Sequence, residues 1–80
     1  FNPLQIGIQP NPALHETLLS LPEGTERLTL FSTLGQPLRT WRVSGPTFRM
    51  ERSGLPAGVY AVRAEDGKGK MKGVGKVVWR

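Results

Sequence analysis

The sequence predicts an all-β fold, a small antiparallel β-sandwich or barrel of about seven short strands. Turn residues recur at short, regular intervals, and the stretches between them alternate apolar and polar side chains instead of repeating every three or four positions. Helix is nearly excluded. Only residues 14–21 offer a helical window, which is short and lies between prolines.

Residues 4–9 form the first expected strand, with Leu4, Ile6 and Ile8 on one face, and Pro10-Asn11-Pro12 ends it because proline donates nothing to a ladder. Residues 16–21 form the second, followed by the turn Pro22-Glu23-Gly24-Thr25. In the third, residues 27–32, Leu28 and Leu30 oppose Thr29 and Phe31. Gly35-Gln36-Pro37 turns the chain into residues 38–43, where Trp41 is expected to point inward with its indole edge near water. Ser44-Gly45-Pro46 precedes a short fifth strand, residues 48–51, with Phe48 and Met50 in phase.

The run from Ser53 through Gly54, Leu55, Pro56 and Ala57 to Gly58 turns into the sixth strand, residues 59–65. There Tyr60 and Val62 share one face and Val59, Ala61 and Arg63 the other. Asp66-Gly67 signals a tight hairpin, since both central positions tolerate positive φ. The last strand spans residues 70–80, and Gly73 and Gly75 within it mark a bulge or a close backbone approach.

At 80 residues the chain makes one domain, and a domain of that size buries only roughly 60% of the surface its unfolded chain exposes. With no cysteine and a single histidine, His15, the usual zinc patterns and disulfide staples are out, and no cofactor is expected. Hydrophobic residues at 38% are typical of the soluble class, and no apolar run approaches the ~20 residues of a membrane-spanning helix. The sequence opens at Phe1 without Met, basic leader or apolar leader, so residues 1–80 are expected to be one domain excised from a longer protein.

The net charge of +5 is concentrated late: Arg63, Lys68, Lys70, Lys72, Lys76 and Arg80 stand against Glu65 and Asp66. Such asymmetry favours anionic partners. Lys68, Lys70 and Lys72 are the candidate contacts, although lysines on a sheet edge also serve to discourage aggregation.

Catalysis has no support. His15 lacks a nucleophile and an orienting partner in any recognisable pattern. Glu23, Glu26, Glu65 and Asp66 sit in or beside turns and do not face one another across a cleft. Gly67-Lys68-Gly69-Lys70 lacks both the spacing and the following helix of a phosphate loop. Trp41, Tyr60 and Trp79 would form a sugar-stacking platform only if they projected from one surface.

Several motifs fall in order along nearly the whole chain: Pro10-Asn11-Pro12, the strand of residues 28–31 leading to Thr33-Leu34-Gly35, residues 55–63, and residues 76–80. Together they resemble the type A C-terminal sorting domain of cargo for the type IX (Por) secretion system. The resemblance implies an immunoglobulin-like sandwich whose matched positions are Pro10, Asn11, Pro12, Gly35, Gly58, Val59, Tyr60 and residues 76–80. All of these except the terminal residues are expected to act structurally. Trp79 stands where the family commonly has a smaller aliphatic residue.

The resemblance also implies a non-enzymatic secretion signal, bound by the translocon and its shuttle proteins during periplasmic transit. Attached cargo would then reach the outer membrane, the cell surface or the medium. In most members a sortase-like cysteine protease removes the domain and joins the cargo to anionic lipopolysaccharide; nucleic acid is not an expected partner. The expected recognition site is the terminal strand, Lys76, Val77, Val78, Trp79 and Arg80, captured by strand addition or through a free carboxylate. Either alternating set, Val77 with Trp79 or Lys76 with Val78 and Arg80, could be read. The alternative is a retained docking or lipopolysaccharide-binding module, and an unpaired sheet edge offers a route to a dimer.

Overall fold

In the structure, a computed structural model that describes residues 4–80, all regular structure among the described residues is β. The strands are β1 (Leu4–Gln5), β2 (Gly7–Gln9), β3 (Glu16–Ser20), β4 (Arg27–Phe31), β5 (Pro37–Arg42), β6 (Thr47–Glu51), β7 (Gly58–Glu65) and β8 (Met71–Trp79). They form a five-stranded sheet in the order β1-β8-β7-β4-β5 and a three-stranded sheet in the order β2-β3-β6. Every pairing between strands is antiparallel except β1 with β8. The fold is thus the small β-sandwich that the period-two pattern predicts.

Alternation along each strand supplies the core. Leu28 and Leu30 of β4, Tyr60, Val62 and Ala64 of β7, and Val77 and Trp79 of β8 are buried from the large sheet. Leu19 and Met50 are buried from the small one, and Ile6 lies between the two. Trp41 and Phe48 seal the margin, their rings tilted at 51° with centroids 5.7 Å apart. Trp41 is half-buried, as its amphipathic ring suggests.

The single first strand expected over residues 4–9 divides at Ile6. Leu4–Gln5 pairs with β8, and Gly7–Gln9 pairs with β3 in the other sheet. Alternation cannot reveal this, because a strand that changes sheets keeps its apolar side chains inward throughout. The inward placement expected of Leu4 lies outside the described side chains.

The last hairpin also differs from expectation. Its loop carries the left-handed residue at Gly69 (φ +84°), not at Gly67. The Gly69 N–H donates to the Asp66 carbonyl at 3.0 Å and the Asp66 N–H to the Lys70 carbonyl at 2.9 Å. This is a longer loop closed by a left-handed glycine. The register slips between Ala64 and Glu65, passing over Lys72, so the bulge expected near Gly73 is present. Gly75 is the expected close approach: a Cβ there would lie 2.9 Å from Ile8 Cδ1 and 3.2 Å from Ile6 Cβ.

Candidate functional site

The terminal strand, where recognition was expected, has no free backbone edge. On one side β7 pairs with it from Gly58↔Trp79 to Glu65↔Met71. On the other, β1 covers Gly73 and Val74, and the Ile6 N–H donates to the Val74 carbonyl at 2.8 Å. Ala13 covers the far end: its N–H donates to the Val78 carbonyl, and its carbonyl accepts from the Arg80 N–H, both at 2.9 Å.

Asn11 fills the gap between these two segments. Its Nδ2 donates to the Lys76 carbonyl at 2.8 Å and its Oδ1 accepts from the Val78 N–H at 2.9 Å. A primary amide carries the donor and acceptor of a peptide group. The Asn11 side chain therefore replaces the residue that a continuous parallel strand would supply, while the backbone detours through β2. Pro10 and Pro12 flank it at cis peptide bonds, and the Pro10 carbonyl accepts from Thr17 Oγ1 at 2.6 Å.

Arg52 closes the end of β8. Its Nη1 donates to the Leu14 carbonyl at 2.9 Å and to the main-chain oxygen of Arg80, and its Nε donates to the Leu55 carbonyl at 2.8 Å. Arg39 supports the same loop, donating to the carbonyls of Arg52 at 2.9 Å and Ser53 at 2.7 Å. One guanidinium thus ties the β2–β3 and β6–β7 loops to Arg80. Nothing in the sequence around Arg52 signals this role, since all its partners are main-chain carbonyls and those of Leu14 and Arg80 are distant along the chain.

Strand addition at the edge of β8 is therefore closed in the folded domain, and alternation settles which side chains are accessible. Val77 and Trp79 are 0% and 1% exposed. Trp79 fills the core, and its indole N–H has no hydrogen-bond partner among the described residues. Lys76 and Arg80 are exposed and Val78 is half-buried. Of the two sets that a partner could read, the folded domain presents only Lys76, Val78 and Arg80.

Among the other motif residues, Tyr60 is buried and its hydroxyl donates to the Pro56 carbonyl at 2.6 Å, anchoring the turn that leads into β7. Gly58 opens that strand at φ +153°. Gly35, at φ +83° with open space around it, has a purely conformational role in the turn closed by Ser32. Val59, paired with Val78 in the β7–β8 ladder, is 44% exposed on the outer face of the large sheet. With Tyr60 and Trp79 both buried, no platform of three aromatic rings exists on one surface.

Glu65 ends β7 beside the turn, as expected, and is buried there, paired with Arg27 Nε at 3.1 Å and Arg63 Nη2 at 3.2 Å. Arg63 also lies over the Phe31 ring, 4.8 Å from its centroid. At the hairpin, Glu26 Oε2 accepts from the Gly67 N–H at 2.7 Å. Asp66 Oδ1 accepts from the N–H groups of Lys70 and Lys68, both at 2.9 Å. Donation from Lys70, then from Lys68, with the charges of Lys72 and Lys70, holds the Asp66 carboxyl below its ordinary range. Lys68 and Lys70 are exposed and Lys72 is half-buried, so this cationic tip faces solvent. His15 is exposed, and no cluster of metal-ligating side chains occurs among the described residues.

Comparison with known proteins agrees with this geometry. Residues 7–79 match the secretion system C-terminal sorting domain. The chain is also similar to karilysin of Tannerella forsythia, 36% identical over 70 aligned residues covering 70% of this chain. It spans only 15% of that relative's length. A match over almost all of the sandwich, from the detour at β2 to Trp79, identifies the whole unit and not one motif. The chain belongs to the family of secretion system C-terminal sorting domains, the non-catalytic signals that direct type IX cargo to the cell surface or out of the cell.

Proposed function

We propose that residues 1–80 are the sorting domain of a longer cargo protein, presented folded to the translocon and its shuttle proteins after periplasmic transit. The apparatus reads the outward residues of the terminal strand, Lys76, Val78 and Arg80. The observation that supports this is the division of β8: its inward residues are enclosed and its edge is paired, which leaves the outward side chains for a partner. Removing residues 76–80 would also remove Trp79 from the core, so truncation confounds folding with recognition. The cleaner test is the double variant Lys76→Ala/Arg80→Ala in a reporter fused ahead of this chain in a type IX-competent bacterium. Reporter held in the periplasm, with an unchanged melting temperature of the purified domain, is the expected result; normal surface display overturns the assignment of these residues.

A second reading is favoured by the exposed tip carrying Lys68, Lys70 and Lys72, where the carboxylates of Asp66 and Glu26 are occupied in accepting from loop N–H groups. In it the domain is retained on the mature protein and docks on anionic lipopolysaccharide. Intact-mass measurement of the mature parent separates the two. Loss of the domain indicates processing by a sortase-like protease, and its presence indicates retention.

A further inference from the structure

The outer face of the five-stranded sheet is built differently from that of the three-stranded sheet. Register places Val59 beside Val78, Ala61 beside Lys76, and Arg63 beside Val74 on the outer face of β7 and β8. Val59 and Val74 are 44% and 40% exposed, and Phe31 borders them beneath Arg63. This shallow apolar strip is flanked by the cations Arg63 and Lys76, and on β4 and β5 by the directly paired Arg27 and Arg42. The carboxylate on this face, Glu65, is buried and already held by Arg27 and Arg63. On the outer face of the small sheet Glu16 stands opposite Glu51, near Arg49, and Leu18 is exposed.

We infer that the outer face of the five-stranded sheet, centred on Val59 and Val74 and rimmed by Arg63 and Lys76, docks a partner protein whose surface has an apolar centre and an acidic rim. The inference rests on the sorting function proposed above and extends its site from the end of β8 across the sheet. Charge complementarity selects the occupant. A second copy related by a two-fold axis would set Arg63 and Lys76 against the same cations, which disfavours self-association. A sugar chain would seek an open aromatic face, and Phe31 is covered by Arg63.

The test compares two outward-facing pairs in the reporter fusion: Val59→Glu with Val74→Glu on the large sheet, and Leu18→Glu with Arg49→Glu on the small one. Melting of each purified domain checks folding, and Val59→Glu alone, on β7 and outside the terminal strand, serves as the single-site variant should the valine pair unfold. The expected result is surface reporter reduced by about tenfold or more for the large-sheet variants, the scale of a lost hot spot, with the small-sheet pair close to wild type. Undiminished delivery by folded large-sheet variants overturns the inference and leaves the sorting function standing. An equal loss from both faces, or concentration-dependent dimerisation abolished by the valine pair, also overturns it. Failure of the unmodified fusion to reach the surface overturns the sorting proposal and the inference with it.

Discussion

Along β8 the inward and outward side chains differ in what a substitution would disturb. Val77 and Trp79 are enclosed between the sheets, whereas Lys76 and Arg80 stand in solvent and Val78 is half-buried. The backbone between them is held on both edges, by β7 on one side and by residues of the β1–Ala13 segment on the other. If the terminal strand carries the signal proposed above, stability and recognition divide there by residue parity. Loss of the strand as a whole would abolish both at once, so single positions are the informative probes.

The largest expected effect breaks the inward half. Trp79→Ala should destabilise by about 3–5 kcal/mol through lost burial and the cavity left behind, against a total of roughly 4–12 kcal/mol for a domain of this length. Lys76→Ala should stay within about 0.5 kcal/mol of wild type, as exposed substitutions do. Urea denaturation of the two variants measures the contrast, and similar midpoints would end the division into two faces.

An intermediate effect sharpens the role of the backbone edge. Asn11→Ala leaves the Lys76 carbonyl and the Val78 N–H without their side-chain partner, and should destabilise by about 1 kcal/mol, because these groups are near enough to solvent for water to replace part of the loss. Hydrogen exchange at the Val78 amide should accelerate more than at amides of β4. Uniform acceleration would mean that Asn11 acts on the whole fold and not on this edge.

The smallest effect lies at the hairpin end of the strand, outside the inward–outward contrast. The folded Asp66 carboxyl titrates below its unfolded value. Its stabilisation is therefore present above the ordinary carboxylate range and is lost as pH falls through the folded value. The stability difference between wild type and Asp66→Asn should narrow below about pH 4 and be constant near neutrality. Thermal melts across that range measure it, and a gap that widens on acidification would contradict the sign.

Much of the architecture was legible because its cause is local. Leu28 with Leu30, and Tyr60 with Val62, alternate toward the core as the period of a strand requires. Gly35 serves the turn in which it was placed. The switch of the first strand between sheets was not legible, since both halves bury the same side. Arg52 left no trace because its acceptors are main-chain oxygens at Leu14, Leu55 and Arg80. Glu65 was hidden for a related reason: its burial depends on Arg27, paired to it from β4. Asn11 carried a usable signal, as an amide isolated between two prolines, but its partner at Val78 is a fact of the folded chain.

By itself the sequence determined the class of fold, nearly all of the strand positions, the cationic late segment and the two candidate faces of the terminal strand, because strand periodicity and turn chemistry act over a few residues. Only the tertiary structure decided which face is available. Packing of β8 beneath the small sheet encloses Val77 and Trp79, and the returning residues Asn11 and Ala13 satisfy its outer edge. Burial and long-range hydrogen bonding depend on neighbours more than sixty residues away in sequence, and local pattern carries no record of them.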